Sequence, residues 1–317
     1  MKKICVVGGG NWGKNHIKTL DSLNALGGIV DINDDFLKKY KNRYSYVNTF
    51  KNLEEAIKFG FDGYIVATPA PTHFHIAKKI IESKNHVLVE KPIATNLKDA
   101  IELNELSKIN NINLMVGHVL LFHPAFIKIK ELLSQGKLGK LQYMYSNRLN
   151  LGKIRTNENV FWSFAPHDIA LFQFFTNSSP TSIVSMGKDF LQKGIHDTTL
   201  TVFEYQNNIM GHIFVNWLHP FKEHRFIIVG SEGMISFEDS LNNKPLIFYD
   251  KNIEWGKGIP TPRNGNSEVI NYSNEMALEN ELKYYIKTLD GAPLELANGD
   301  SAIEVIKILE HVSKKLV

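Results

Sequence analysis

The first residues that could do chemistry form a glycine-rich loop near the amino end. Gly8, Gly10 and Gly13 fit the spacing G-x-G-x-x-G, with Asn11 and Trp12 before the last glycine. The loop lies between an apolar run and a helical pattern, where glycines permit a tight turn and let a pyrophosphate rest on the amino end of a helix. The pattern therefore predicts a dinucleotide-binding loop.

A carboxylate after the second apolar run indicates which dinucleotide. Asp31 follows Gly13 at close to the spacing of about 20 residues expected for a side chain that bonds the adenosine ribose hydroxyls. Asp31 would repel a 2′-phosphate, and the next residue is Ile32 instead of an arginine. We therefore expect NAD as the cofactor, with Asp31 and Ile32 beside it. The alternative interpretation of Asp31 is a solvated turn residue.

Two further loops would line the same crevice, because ligands of open α/β sheets bind at the carboxyl ends of the strands. Thr68, Pro69 and His73 follow one apolar run, and Glu90 and Lys91 end and follow the next. We expect all five to lie at the cofactor. His73 fits the start of a helix equally well.

Lys91 is the candidate for proton transfer. Most lysines are solvated surface residues. A lysine at the carboxyl end of a central strand can act as a base if burial and neighbouring charges lower its pKa from about 10.4 toward neutrality. Pro92 follows it and prevents the strand from continuing directly into a helix.

The elements that position these residues alternate between short apolar runs and amphipathic helical patterns, which is typical of a parallel sheet covered on both faces. The predicted strands are Ile4–Val7, Leu26–Val30, Tyr64–Thr68, Val87–Glu90 and Ile112–Val116. The predicted helices are Trp12–Leu23, Leu53–Phe59, His75–Lys84 and Leu97–Asn110. Residues 1–120 are thus predicted to form a doubly wound α/β domain.

From residue 121 onward, longer β-type runs predict an α+β domain, over residues 121–317, with a large, mostly antiparallel open sheet. Its predicted strands are Leu141–Leu149, Thr198–Tyr205, Ile209–Trp217 and Phe226–Val229. The polar segment 240–274 is interpreted as irregular loops and short strands, and the segments 275–290 and 302–315 as helices.

The composition excludes several classes of protein. Lys and Arg number 36 against 33 Asp and Glu, a balance that favours neither nucleic acid nor a membrane surface as partner. The single cysteine, Cys5, excludes an internal disulfide and a cysteine-based zinc cluster, and no metal site is expected. The apolar run after Lys3 ends too soon for a signal peptide, and no run is long enough to span a membrane. We expect a cytoplasmic protein.

The motifs described above, in this order, resemble the Gfo/Idh/MocA family, the sugar oxidoreductases named for glucose-fructose oxidoreductase and inositol dehydrogenase. The resemblance extends essentially from end to end and implies an NAD-dependent enzyme with an N-terminal Rossmann domain. It also implies that His167 is the second catalytic residue, paired with Lys91. Many relatives carry an aspartate four residues before this histidine, where this sequence has Ser163. Ser163 is expected to bond the substrate and Asp168 to supply the missing charge.

Two stretches, 147–155 and 217–225, resemble the subgroup that oxidises UDP-N-acetylhexosamines or their uronic acids at C3. Arginine offers bidentate contacts to the phosphates of such a nucleotide sugar. The residues that we expect to bind substrate are Arg155, Asn159, Ser163, Asp168, Lys222 and Arg225. An exposed sheet face is the alternative interpretation of Lys222 and Arg225.

The predicted function is NAD-dependent oxidation of the C3 hydroxyl of such a nucleotide sugar, and the resemblance implies a product used in surface glycan or lipid A synthesis. The alternatives are a keto-sugar reductase, an inositol dehydrogenase, and a non-catalytic sensor or repressor that binds dinucleotide without turnover. The open sheet, with Val202, Phe214 and Trp217 taken as its free apolar face, predicts a homodimer or homotetramer.

Overall fold

A computed structural model describes residues 2–316, which divide into two compact units. The first unit contains the residues up to Phe122 together with Glu275–Lys307, and the second contains His123–Asn274 and the residues from Ile308 onward. The first division lies within two residues of the expected boundary at 120. Residues 275–307 were expected in the second domain and instead belong to the first unit.

The first unit is built on a six-stranded parallel sheet with the order β3-β2-β1-β4-β5-β6. Its strands are β1 (Ile4–Val7), β2 (Leu26–Val30), β3 (Asn48–Phe50), β4 (Gly63–Val66), β5 (Val87–Glu90) and β6 (Leu114–Gly117). Its helices are α1 (Gly13–Ser22), α2 (Asp34–Arg43), α3 (Leu53–Phe59), α4 (His73–Glu82) and α5 (Leu97–Ile109), with short 3-10 helices at Ala70–Thr72 and Val119–Phe122. The strand order and the crossover helices confirm the doubly wound fold.

Burial and capping explain these elements. Every residue of β1, β4, β5 and β6 is buried, as expected of parallel strands covered on both faces. Three helices begin at an asparagine whose side chain accepts from the first turn, namely Asn33, Asn52 and Asn96. Apolar runs and local caps therefore fix this unit.

Helix α9 (Ala277–Leu289) belongs to the first unit because its buried side chains pack on the parallel sheet. The Tyr285 hydroxyl donates to the Tyr64 carbonyl of β4 at 3.1 Å, and Asn113 Nδ2 donates to the Thr288 carbonyl at 3.0 Å. These contacts join segments far apart in sequence, so the pattern of residues 275–290 alone did not reveal their unit. Helix α10 (Gly299–Lys315) is divided between the two units.

The second unit is built on an eight-stranded sheet with the order β14-β13-β12-β11-β7-β10-β9-β8. Its strands are β7 (Leu141–Leu151), β8 (Ser182–Lys188), β9 (Thr198–Tyr205), β10 (Ile209–Asn216), β11 (Leu218–Gly230), β12 (Met234–Glu238), β13 (Leu246–Gly256) and β14 (Ile259–Val269). Its helices are α6 (Pro124–Ser134), α7 (Val160–Phe164) and α8 (Pro166–Thr176), with a 3-10 turn at Gln206–Asn208. Only β7 and β10 pair in parallel among the neighbouring strands described, which confirms a large, mostly antiparallel sheet.

Residues 240–274 were interpreted as irregular loops and short strands, but most of them form two strands of 11 residues each. Strands β13 and β14 form a long hairpin, and most of their outer residues are exposed. The Arg263 guanidinium bonds the Asp250 carboxylate at 2.6 and 3.0 Å across the pair. Cross-strand polar contacts therefore hold a hairpin that lacks the apolar alternation on which the sequence prediction relied.

One face of the second sheet carries a row of exposed or half-exposed apolar side chains. Backbone register pairs Val184 with Val202, and Leu200 with both Met186 and Phe214. Met186 is 73% exposed, and Val184 is 61% exposed. Trp217 was expected on this face, but it is fully buried and its indole N–H donates to Asp197. In the described part of the chain, no helix has the length and apolar character needed to cross a membrane.

Candidate active site

The glycine loop owes its shape to close packing. Gly8 has φ +98°, and a Cβ there would lie 2.9 Å from the Ala67 carbonyl carbon and oxygen. A Cβ on Gly13 would lie 1.8 Å from the Gly8 oxygen, so no larger residue fits at either position. A Cβ on Gly10 would have no atom within 4 Å, which leaves open space at the loop. The loop thus permits the close approach of a ligand to its backbone.

Helix α1 begins directly after this loop and has no side-chain cap at its amino end. Asn11 and Trp12 are exposed beside the first turn. The N–H groups of Lys14 and Asn15 already bond the carbonyls of Gly10 and Trp12, so it is the positive end of the helix dipole that favours an anion at this position. The first turn therefore suits a pyrophosphate.

Asp31 closes the loop from the end of β2. Its Oδ2 accepts from the Gly9 backbone N–H at 2.7 Å, and its Oδ1 accepts from that of Asn33 at 2.8 Å. The Tyr40 hydroxyl donates to the Gly9 carbonyl at 2.6 Å, so both peptide groups of Gly9 are held. Burial, and secondarily the charge of Asp31, raise the pKa of Tyr40. The next residue, Ile32, is 92% exposed and apolar, so it offers no positive charge to a 2′-phosphate on the ribose.

The loop after β4 is held to the loop after β5 by a histidine. His73 is 1% exposed, and its ring nitrogens lie 2.8 Å from the carbonyl oxygens of Thr68 and Pro92. The Thr72 hydroxyl also donates to that of Thr68 at 2.7 Å. His73 therefore positions Thr68, Pro69 and the lysine loop through its carbonyl contacts.

Lys91 lies directly after β5, half-buried, with a cis peptide bond to Pro92. Its backbone N–H contacts Glu90 Oε2 at 3.2 Å. Glu90 is 8% exposed and accepts a bond from the Trp12 indole N–H of the glycine loop. The lysine loop and the glycine loop are therefore joined through one carboxylate.

His118 follows β6 and was not identified from the sequence. It is 3% exposed, and burial, with a smaller contribution from the charge of Lys91, lowers the pKa of His118 to about 3. Its imidazole is therefore neutral at physiological pH. A histidine after an apolar run carries no signal of its own, and only the fold places it near Lys91.

In the second unit, residues 160–176 form two helices, α7 and α8, with Ala165 between them. Asn159 caps α7 by accepting from the Trp162 backbone N–H at 3.0 Å. Ser163 is 8% exposed within α7, and His167 lies half-buried in the first turn of α8. Proline at the first position of α8 fits there because it needs no N–H partner.

Asp168 anchors the amino end of α8 to the sheet. Its carboxylate is fully buried and accepts from Arg148 Nε and Nη2, each at 2.8 Å, and from the Ser146 hydroxyl at 2.7 Å. Burial acts to lower the pKa of Arg148. The charge and hydrogen bonds of Asp168 act in the opposite direction, and the pKa of Arg148 is raised. These contacts use both oxygens of Asp168, which was expected to supply charge to a substrate. Its place next to His167 makes the ion pair a support for that residue.

The predicted cations of the second unit differ in their partners. Arg155 lies 3.6 Å from Glu158. Arg225 Nε bonds Glu238 at 2.8 Å, while Lys222 is exposed at an irregularity in the pairing of β11 with β7. The neighbouring His224 was not singled out by the sequence reasoning. Its pKa is lowered to about 4 by burial and then by the charges of Arg148 and Lys222. Among residues 2–316, no cluster of three or more His, Cys, Asp or Glu side chains could hold a metal ion.

Comparison with known proteins shows to which family the chain belongs. Residues 2–118 match the model of the GFO/IDH/MocA oxidoreductase family, described as having an NAD-binding Rossmann fold, and residues 126–236 match that family's C-terminal domain. The chain belongs to the Gfo/Idh/MocA oxidoreductase family. The family model that matches the first unit is NAD-binding. The first unit would hold NAD through the glycine loop, Asp31 and the amino end of α1, which has no side-chain cap.

Relatives within the family differ in substrate. A myo-inositol 2-dehydrogenase of Thermotoga maritima is 24% identical over 263 residues, 78% of each chain. A UDP-N-acetylglucosamine 3-dehydrogenase of Acidithiobacillus ferrooxidans is 25% identical over 183 residues, 57% of this chain and 56% of that protein. The solved structure of the enzyme of that name, GnnA, has a TM-score of 0.87 at 20% identity and covers 99% of this chain and 97% of its own.

A further solved structure carries both cofactor and sugar. The WlbA dehydrogenase of Bordetella pertussis, in complex with NADH and UDP-GlcNAcA, has a TM-score of 0.79 at 17% identity. The match covers 99% of this chain and 96% of that one. At these identities, the structural likeness to GnnA and WlbA shows a shared fold.

Proposed function

We propose that this oxidoreductase is an NAD-dependent dehydrogenase that oxidises the C3 hydroxyl of a UDP-N-acetylhexosamine-type sugar to a ketone. The observation that carries the proposal is the link, within the first unit, between a half-buried lysine and the NAD loop through Glu90 and Trp12. The substrate class is supported by the UDP-sugar dehydrogenases among the relatives and structural neighbours.

NAD, held by the glycine loop and Asp31, would supply the hydride acceptor for C3 of the sugar. Lys91 acts as the general base, and its Nζ takes the hydroxyl proton as the hydride leaves. His167 orients the hydroxyl or relays its proton, as the family resemblance implies. In the reverse direction, a protonated Lys91 stabilises the developing alkoxide and returns the proton.

The nucleotide end of the substrate carries two phosphates, which cations of the second unit are proposed to bind. Arg155, Lys222 and Arg225 are partly or largely exposed. Arg225 bonds Glu238 and Arg155 lies 3.6 Å from Glu158, so the exposed Lys222 is the best placed of the three to gain a new anion. Asn159 and Ser163 are proposed to bond the sugar, with Ser163 at the position where many relatives carry an aspartate.

A second candidate is an inositol dehydrogenase, favoured by the myo-inositol 2-dehydrogenase that matches 78% of the chain. Both reactions remove a hydride from a secondary carbinol carbon and use the same base. They differ in the need for a diphosphate site, which inositol lacks. The substrate's phosphates therefore separate the two candidates.

The test is incubation of the pure protein with NAD and UDP-GlcNAc, UDP-GalNAc, UDP-GlcNAcA or myo-inositol. We expect NADH absorbance with at least one UDP-sugar, together with a product whose mass is lower by two hydrogen atoms. Oxidation of myo-inositol alone would favour the second candidate. NAD binding without NADH formation from any of these compounds would favour a sensor.

A further inference from the structure

A buried polar cluster lies at the base of the lysine loop. Glu90 Oε1 accepts from the Trp12 indole and lies 2.6 Å from His16 Nε2 of α1, which is fully buried. Glu90 Oε2 contacts the Lys91 backbone N–H, and a Cβ on Gly117 would lie 3.0 Å from this oxygen. Donors therefore contact both oxygens of this carboxylate, and the Gly117 backbone packs beside it.

A second carboxyl group, Glu281 of α9, is buried in the same unit. It is fully buried, and neither of its oxygens has a hydrogen-bond partner among residues 2–316. Helix α9 packs against α1, the helix that carries His16. Burial, and then repulsion by Glu90, raise the pKa of Glu281 well above its ordinary value.

The groups in these surroundings that contact a carboxylate contact Glu90, whereas among residues 2–316 no donor reaches Glu281. From α1, His16 contacts Glu90, and after β6 the buried His118 is neutral. From β4 and α9 come the buried phenols Tyr64 and Tyr285, and Lys91 follows Glu90 in the chain. A buried charge without a partner is far more costly than a neutral acid, and two close carboxylates cannot both ionise readily.

We propose that Glu90 and Glu281 carry one negative charge between them, with the proton on Glu281 and the charge on Glu90, and that Glu90 is the positioning residue whose charge favours the ammonium form of the neighbouring Lys91. The consequence for Lys91 rests on the proposed function, in which it is the base. A second negative charge, on Glu281, would favour the ammonium form of Lys91 further. A protonated Lys91 cannot accept the hydroxyl proton of the substrate. With the proton on Glu281, only the charge of Glu90 favours the ammonium form of Lys91.

The first experiment detects the proton without any substrate. The infrared spectrum of the wild type at neutral pH is expected to contain a carboxylic acid carbonyl band that Glu281→Gln removes and Glu90→Gln retains. Glu279→Gln, a change on the same helix at a residue paired with Lys283, is the matched control and should leave the band in place. A wild-type spectrum without the band would overturn the proposal.

A second readout follows the unfolding equilibrium. Folding keeps the proton on Glu281, whereas the unfolded chain releases it above the ordinary pKa of a glutamate. The unfolding constant of the wild type relative to Glu281→Gln should therefore rise roughly tenfold per pH unit in that range. A ratio independent of pH would mean that Glu281 is ionised in the folded protein and would contradict the proposal.

The third experiment measures the effect on Lys91 independently of turnover. The pH dependence of Lys91 acetylation by acetic anhydride, followed by peptide mass spectrometry, gives its pKa in each variant. Glu90→Gln should lower this pKa by about one to three units, because it removes the adjacent charge, and Glu281→Gln should leave it unchanged. An unchanged pKa in Glu90→Gln would overturn the role of Glu90. Failure of the wild type to oxidise any UDP-sugar would refute the proposed function alone.

Discussion

Asp31 accepts hydrogen bonds from two backbone N–H groups, those of Gly9 and Asn33. It therefore fixes the conformation of the cofactor loop at the ribose end and also gives that end a negative charge. Tyr40 supports the same glycine from the other side. The sequence predicted Asp31 from its spacing. It could not predict Tyr40, because a tyrosine in an amphipathic helix has no pattern that distinguishes a ligand loop from ordinary core.

The charge of Asp31 should set the choice between NAD and NADP. A 2′-phosphate about 4 Å from this carboxylate meets repulsion of about 1 to 4 kcal/mol, depending on the local dielectric. Asp31→Asn should narrow the preference for NAD by at least about fivefold. Asp34→Asn, which changes a solvent-exposed carboxylate three residues later, should leave it unchanged. Isothermal titration with both cofactors measures the ratio, and equal wild-type affinities would contradict this assignment.

Helix α8 depends on the ion pair between Arg148 and Asp168, which the sequence did not reveal. Asp168 lies in the first turn of α8, but the arginine that neutralises it lies on β7, and only the fold brings the two together. Apolar runs predicted five of the six parallel strands, and four of these, β1, β4, β5 and β6, are buried along their whole length. The half-buried β3 was not predicted. The exposed hairpin of β13 and β14 lacks that signal and was missed.

Removing one member of the buried pair should be costly. Arg148→Met leaves Asp168 as an uncompensated buried charge, and we expect a loss of about 3 to 5 kcal/mol in the free energy of unfolding. Arg263→Met breaks the partly exposed pair with Asp250 and should cost no more than about 1 kcal/mol. Urea unfolding measures both. A loss below about 1 kcal/mol for Arg148→Met would show that the pair does not anchor α8.

Assembly of the whole molecule is predicted to use the exposed apolar face of the second sheet. Light scattering at micromolar concentration should give the mass of a dimer or tetramer, because an apolar sheet face of this kind requires cover. Met186→Lys should shift the population toward the single chain. Ile109→Lys, an equally exposed apolar site in the first unit, is the control. A wild-type mass equal to that of one chain would contradict the prediction.

The stability of the molecule should fall in mild acid because each unit holds a neutral histidine, the buried His118 in the first and the half-buried His224 in the second. Burial lowers the pKa of His118 to about 3 and that of His224 to about 4, below the 6.5 of an ordinary histidine. Below pH 6.5 the unfolded chain takes up protons that the folded chain excludes. Each histidine should then cost about 1.4 kcal/mol per pH unit until its folded pKa is reached.

Urea unfolding between pH 7 and pH 5 tests this prediction. His224→Gln should reduce the pH dependence by about 1.4 kcal/mol per unit, the share of one histidine. His75→Gln, a change at a solvent-accessible histidine of α4, is expected to leave the dependence unaltered. If the free energy of unfolding has the same pH dependence in His224→Gln and the wild type, the fold does not keep His224 neutral.

The most direct measurement of the proposed mechanism is single-turnover NADH formation from NAD and the UDP-sugar that the substrate panel identifies. Lys91→Met should bind NAD normally and lose roughly 10² to 10⁴ in the rate, because the general base is gone. His167→Asn should be similarly damaging, and the double variant little worse than either, since groups that act together lose function together. The control, Lys98→Met, changes a nearby exposed lysine and should retain the rate. A near-normal rate in Lys91→Met would contradict the account.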